Sequence, residues 1–379
     1  MTRPIPILGL LALSIAAAGG APLTMDSARG AQLFQTLDCV QCHSVNGQGG
    51  HIGPDLGRRI DRDFTPASLV ATMWNHAPTM WRAMKDRGIP PGNLDEQGAA
   101  DLYAYFYSAH FFDKPGDAGR GKLVFASKHC EDCHGLTAAK VPGAKPPAEW
   151  DAASDPIALV DEMWNHASLM KNEFQSRGYH WPSLNSQELS DLVIYVRNLP
   201  GARSVESPVR IDSTGGEEVF RSRCAACHTG KLDLAPLLKH ATLTDIAAAM
   251  WDHQPKMTAR AAAAPAAAVS NLGLNQMRSL LGYIWAREFF EDSGSASRGA
   301  HVFEAKHCAA CHSAGANGAP KLPAADRSFT GPAMVAALWH HGPQMLDLMK
   351  SSNIVWPRFD GTQMADLIAF LNQKREKKP

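Results

Sequence analysis

The chain has 379 residues, enough for two to four domains of ordinary size. Apolar residues make up 45% and charged residues 20%, the balance of a globular protein, which excludes disorder, collagen and extended coiled coil. Lys and Arg (37) balance Asp and Glu (37), so composition offers no electrostatic case for nucleic-acid binding.

Taken in chain order, the first feature is a terminus with one cation, Arg3, an apolar run from Ile5 to Ala18, and then Gly19, Gly20 and Ala21. This is the pattern of a secretory signal peptide over residues 1–21. The run is shorter than the roughly 20 residues a transmembrane helix needs, so a retained anchor is the lesser reading. The expectation is an exported, periplasmic chain with no membrane span once the signal is removed.

All eight cysteines fall in four Cys-x-x-Cys-His pentapeptides: Cys39/Cys42/His43, Cys130/Cys133/His134, Cys224/Cys227/His228 and Cys308/Cys311/His312. An exported chain would ordinarily use cysteine for disulfides. Disulfide, thioredoxin-like and zinc readings all leave the following histidine unexplained. Cys-x-x-Cys-His is the signature of c-type haem attachment, two thiols for the vinyl groups and an imidazole for the iron. The expected cofactors are therefore four covalently attached haem c groups.

The motifs recur about every 90 residues, the length of a small domain. Each unit opens with Gly and Phe four apart: Gly30/Phe34, Gly121/Phe125, Gly216/Phe220 and Gly299/Phe303. Each closes with an amphipathic segment carrying a ring: Asp101-Leu102 with Tyr105, Asp191-Leu192 with Tyr195, Leu280 with Tyr283, and Asp366-Leu367 with Phe370. A glycine lets another helix cross closely, and the rings fill the crossing. Loop-rich breaks at 113–117, 199–216 and 291–295 divide the chain after its signal into units 22–115, 116–202, 203–293 and 294–379. The long central break suggests two dihaem halves, the first two units and the last two. The third unit is the most diverged, with an Ala-rich stretch, 259–269, in place of a Trp-Pro loop.

Together these features resemble the class I (mitochondrial-type) cytochromes c over nearly all of 27–371. The resemblance implies an all-α fold of four tandem helical domains, each wrapped around one haem, with His43, His134, His228 and His312 as proximal iron ligands. It also implies a Pro after each motif whose carbonyl accepts a hydrogen bond from that histidine. Gly53-Pro54-Asp55-Leu56 matches well, Ala319-Pro320-Lys321-Leu322 and Ala235-Pro236-Leu237 less fully, and Pro146-Pro147 ambiguously.

Every unit also carries Trp-x-His-x-x-x-Met: Trp74/His76/Met80, Trp164/His166/Met170, Trp251/His253/Met257 and Trp339/His341/Met345. His and Met four apart share a helical face, so either can approach the iron. The family's use of sulfur points to Met80, Met170, Met257 and Met345 as distal ligands. The alternative is ligation by His76, His166, His253 and His341 with Met packed on the ring. Trp is expected at the haem edge, excluding water. Two filled axial positions make an electron carrier, one that links a membrane quinol-oxidising complex or dehydrogenase to a terminal reductase, oxidase or other cytochrome. A peroxidase-like multihaem enzyme, or a haem subunit of a larger oxidoreductase, is the alternative.

Overall fold

A computed structural model describes residues 23–57, 65–109, 115–150, 155–202, 209–234, 236–238, 241–262, 271–289, 294–323 and 328–373. The segment 1–21, read above as a signal peptide, lies outside these residues, as does the basic run at 374–378. The described residues are mostly helical, and one plan recurs. A short helix precedes each Cys-x-x-Cys-His motif: α1 (Ser27–Thr36), α4 (Ala118–Ser127), α7 (Gly216–Arg223) and α10 (Ala296–Ala305). A long helix follows: α2 (Pro66–Asp86), α5 (Pro156–Ser176), α8 (Leu243–Ala262) and α12 (Gly331–Ser351). A closing helix completes each unit: α3 (Glu96–Ala109), α6 (Ser186–Arg197), α9 (Leu274–Phe289) and α13 (Gly361–Leu371). In the fourth unit α11 (Ala309–His312) forms over the motif, and in the first a hairpin pairs β1 (Ser44–Val45) with β2 (Gln48–Gly49) around Asn46-Gly47.

Local chemistry fixes the long helices. Thr65 with Pro66, Asp155 with Pro156, and Thr330 ahead of Pro332 supply an N-cap oxygen and a proline in the first turn. Thr242 and Asp245 form the reciprocal capping pair for α8. Gly88, Gly178 and Asn353 end α2, α5 and α12 with positive φ of 67°, 74° and 56°, the left-handed closure favoured past a helix C-terminus.

The crossing of first and closing helices is the one expected. A Cβ on Gly30, Gly121, Gly216 or Gly299 would overlap the carbonyl of Asp101, Asp191, Ser279 or Asp366 on the closing helix. The rings meet beside it: Phe34–Tyr105 at 5.7 Å, Phe125–Tyr195 at 5.6 Å, Phe220–Tyr283 at 5.8 Å and Phe303–Phe370 at 5.2 Å between centroids.

A clamp unnoticed in the sequence locks three crossings. The residue before the glycine is Arg29, Arg120 or Arg298, and its guanidinium forks onto the buried carboxylate of Asp101, Asp191 or Asp366. Unit 3 has Gly215 and Ser279 at these places. Its first helix is tied instead to unit 1: an antiparallel bridge pairs Asp26 with Asp212, and Met25 N–H donates to Ser213 Oγ at 2.7 Å.

The units do not pair as first with second and third with fourth. Helices α2 and α3 of unit 1 pack on α12 and α13 of unit 4, while α5 and α6 of unit 2 pack on α8 and α9 of unit 3. This corrects the expected halves: the first unit meets the last and encloses the middle pair in sequence. Trp is the reason. Trp74 Nε1–H donates to Pro357 O at 2.9 Å and Trp339 Nε1–H to Gly92 O at 2.8 Å, so units 1 and 4 exchange indoles. Trp251 Nε1–H donates to Pro182 O at 2.7 Å in the other pair. Pro78 and Pro255 inside the long helices cannot donate to the carbonyl four residues back. Those carbonyls, Trp74 O and Trp251 O, accept Trp356 Nε1–H at 3.0 Å and Trp181 Nε1–H at 3.3 Å from the partner unit's loop.

A bulky side chain at a crossing tests this packing. Gly121→Leu should destabilise the protein by about 1–3 kcal/mol through overpacking against α6, seen as a lower thermal midpoint; an unchanged melt would contradict the close crossing. A second test uses pH. Arg298 holds Asp366 below the usual carboxylate range, and Arg120 with the Asp117 amide does so for Asp191 in spite of burial. A depressed carboxylate stabilises at neutral pH, and that contribution is lost as pH falls through its range. Asp366→Asn should therefore lower the midpoint at neutral pH and flatten its fall in acid.

Candidate functional site

Each attachment motif is presented by a turn at the end of the first helix. In units 1, 2 and 4 the residue before the first cysteine is non-glycine with positive φ: Asp38 (59°), His129 (61°) and His307 (63°). This left-handed residue stops the helix and turns the thiol inward. In unit 3, α7 runs straight into Cys224.

The first cysteine of each motif packs on apolar residues: Cys39 and Cys308 in the core of the 1·4 pair, Cys224 in that of the 2·3 pair, and Cys130 in the small core of unit 2. Burial pushes the thiols of Cys39, Cys224 and Cys308 up to about 11 and that of Cys130 to about 12. Such a site disfavours a thiolate and accommodates an uncharged sulfur, which a thioether is. The cysteines form no disulfides. Among the described residues, no three His, Cys, Asp or Glu side chains converge as a bare metal site.

All four motif histidines point one ring nitrogen at a backbone carbonyl. His43 Nδ1 meets Pro54 O at 3.0 Å, His134 Nδ1 meets Lys145 O at 3.0 Å, His228 Nδ1 meets Leu232 O at 3.2 Å and His312 Nδ1 meets Pro320 O at 2.9 Å. A carbonyl only accepts, so Nδ1 carries the proton and Nε2 keeps the lone pair for a metal. In units 1 and 4 the acceptor is the proline expected from the resemblance. In unit 2 it is the residue before Pro146. In unit 3 the Pro236 expectation is corrected to Leu232, because a 3-10 turn over Gly230–Leu232 brings that carbonyl back onto the ring.

The Pro54 loop is itself held. Asp55 accepts the amides of Asn46 at 3.0 Å, Gly47 at 2.6 Å and Gly57 at 2.8 Å, and these keep its carboxylate below the usual range against the effect of burial. Gly53 lies flat against the imidazole, where a Cβ would overlap the His43 ring.

The Trp-x-His-x-x-x-Met segments lie in the long helices, and their residues divide by face. Trp74 and Trp339 are buried between units 1 and 4, Trp164 and Trp251 in the cores of the other pair. Trp74 stacks on Trp356 at 5.0 Å and Trp181 on Trp251 at 4.1 Å. Trp thus also serves as a joint between units, a role the sequence reading did not include. The residue between Trp and His joins it: Asn75 exchanges two hydrogen bonds with the Phe359 backbone, Asn165 two with Leu272, and Asp252 accepts from Leu184 N–H.

Two residues past each Trp, the histidine lies toward the other side of its helix. The rings of His43 and His76 stand 6.2 Å apart between centroids. Burial, then the nearby His43, lowers the pKa of His76, so its imidazole is kept neutral as a ligand must be. His166 and His253 direct Nδ1 to the carbonyl four residues back, Glu162 O and Ala249 O, each at 2.9 Å, which presents Nε2 outward. His341 is exposed. Met80 and Met345 pack against the 1·4 core, Met170 against that of unit 2 and Met257 against the 2·3 core. Lys128, just before the second motif, bonds Ser183 O and Glu188.

Small all-α units of this kind, closed by a glycine-and-ring crossing around Cys-x-x-Cys-His, are the architecture of cytochrome c domains. The Cytochrome c family model matches residues 27–109 and 118–200, and a model described as cytochrome C oxidase, cbb3-type, subunit III matches 294–371. The chain belongs to the class I c-type cytochromes, as a multi-domain member. No curated protein and no solved structure matches it. Covalently bound haem c follows from the family, and the residues fit it: a buried first sulfur in each motif, and imidazoles whose fixed tautomer leaves Nε2 free for a metal. No helix among the described residues is long and apolar enough to cross a membrane.

Gly53→Val should push His43 from its place, so that one haem of the assembled protein changes from low to high spin in its ferric resonance spectrum. An unaltered spectrum would show that the loop does not position the ligand.

Proposed function

We propose that the chain is an exported tetrahaem electron relay. It takes electrons one at a time from a membrane quinol-oxidising complex or a dehydrogenase and delivers them to a terminal reductase, an oxidase or another cytochrome. The observation that carries this reading is the pair His43 and His76. Imidazoles sharing one metal at about 2 Å from each nitrogen have ring centres roughly 6 Å apart, and the separation here is 6.2 Å. A site filled on both sides has no position for a substrate, and it can exchange an electron with little rearrangement.

Bound haem supplies a one-electron iron couple whose potential follows its axial ligands and burial. The chain supplies the rest. Cys39 and Cys42, Cys130 and Cys133, Cys224 and Cys227, and Cys308 and Cys311 tether. His43, His134, His228 and His312, oriented by their carbonyls, would hold the iron. In unit 1 His76 would supply a second imidazole to it. His166, His253 and His341 hold the same place in the repeat, two residues after the joint-forming Trp. Met80, Met170, Met257 and Met345, one turn further, pack beside the site against apolar cores and limit water there. With oxidised irons and ionised carboxylates counted, the loaded protein carries roughly −4, which favours basic partner surfaces.

Intact mass of protein from a host able to attach haem should show four adducts, and fewer would end the tetrahaem reading. Met80→Leu should leave the ferric spectra unchanged, whereas His76→Leu should convert one low-spin haem to high spin. A near-infrared sulfur-to-iron band that vanishes in Met80→Leu would assign sulfur instead. Ready carbon monoxide binding by the reduced, unaltered protein would reveal an open iron and favour a peroxidase-like enzyme.

A further inference from the structure

We infer that electrons cross this protein in the spatial order unit 4, unit 1, unit 3, unit 2, in either direction, and not in the order of the chain. The inference rests on the relay reading above and specifies its internal route. Three joints define the order, each built differently from the linkers that connect the units in sequence.

The first joint lies between units 4 and 1. Helices α12 and α2, which carry His341 and His76, pack on one another there. Trp74 stacks on Trp356, and Trp81 meets Trp356 edge-on at 5.8 Å. Gly342 is where the two helices close up, since a Cβ there would enter the Trp81 ring. Outside this layer, Thr330 Oγ1–H donates to Glu96 at 2.7 Å.

The joint between units 3 and 2 repeats the design. Helices α8 and α5, carrying His253 and His166, pack together, with Trp181 on Trp251 and Arg278 paired to Asp155. Helix α2 therefore presents His76 to its own haem motif and the Trp74 indole to unit 4, and α8 presents the Trp251 indole to unit 2. An electron leaving one site of a pair meets aromatic and backbone atoms that bridge the joint.

The third joint lies between the pairs. The Asp26–Asp212 bridge ties together the strands leading into α1 and α7, the helices that present Cys39 and Cys224. The Tyr107 hydroxyl accepts the Leu243 N–H at 3.2 Å, and its ring meets Trp285 at 4.1 Å, which in turn stacks on Phe289 at 4.3 Å. Units 1 and 3 are the interior stations, and units 4 and 2 are the ends that face the external donor and acceptor. In each step one ferrous iron is oxidised and the next ferric iron reduced; no bond forms and no proton moves.

The test uses the full chain with its haems. Replacing Cys308 and Cys311 by Ser removes attachment in unit 4, and replacing Cys130 and Cys133 removes it in unit 2. Because charge interaction weakens with distance, loss at unit 4 should shift the potential of the unit 1 haem most, and loss at unit 2 that of the unit 3 haem most. The order is overturned if loss at unit 4 moves unit 3 most, if loss at unit 2 moves unit 1 most, or if no remaining haem moves. Trp356→Leu keeps every attachment motif. After rapid reduction by a photochemical donor, it should slow equilibration between units 4 and 1 several-fold and leave that between units 3 and 2 unchanged. Equal rates in variant and parent would also overturn the route. Fewer than four mass adducts in the parent would remove the relay itself, a failure distinct from a wrong order.

Discussion

The two-sided use of the long helix in each unit governs the rest of the structure. Along α2, Trp74 and Ala77 are buried against a neighbouring unit, while His76 lies toward His43. A helix places residues two apart nearly opposite one another, so Trp-x-His turns a joint to one side and an imidazole to the other from three consecutive positions. The proline after this triplet in three units removes one backbone donor, and in two of them the freed carbonyl is taken up by an indole from the partner. Site and assembly therefore share one element, and a change to either face is transmitted to the other by a rigid turn.

Much of this was legible in the sequence, and the reason is repetition. The attachment motifs, the all-α class and the glycine-and-ring crossing each recur four times with fixed internal spacing, and the structure has them where the spacing places them. The recurrence of Trp was equally visible, but its role as a joint was not. A large ring beside a candidate ligand reads as cofactor packing when only one unit is considered. Its indole N–H finds its acceptor up to 283 residues away, at Pro357 for Trp74, and nothing local encodes that. The break at 199–216 likewise suggested halves, because length in a linker reads as separation. In fact this stretch ends in the strand that bridges to unit 1.

The Arg–Asp clamp was readable and passed over. Arg29, Arg120 and Arg298 each stand directly before the crossing glycine, and the partner aspartates were already singled out as helix markers. Unit 3 lacks both members and gains the contact with Met25 and Asp26, so divergence there accompanies a role as the point where the two pairs meet. Its attachment motif also differs, with no left-handed residue before Cys224 and with the imidazole bonded to a nearer carbonyl. These departures cluster in one unit because its first helix is positioned by another unit as well as by its own closing helix.

The enclosure of one pair by the other has a consequence for how the protein is made. Units 2 and 3 are neighbours in the chain, so their joint can close once the middle of the polypeptide has emerged. The indoles of Trp74 and Trp81 have no cover until the final hundred residues arrive, and joining ends so far apart carries the larger loop-closure cost. While the chain is being made, the first quarter must therefore stay accessible until its partner arrives. That interval leaves its thiols open to the attachment machinery, and a chain cut short would display an unsheathed aromatic face, the mark by which quality control recognises incomplete products.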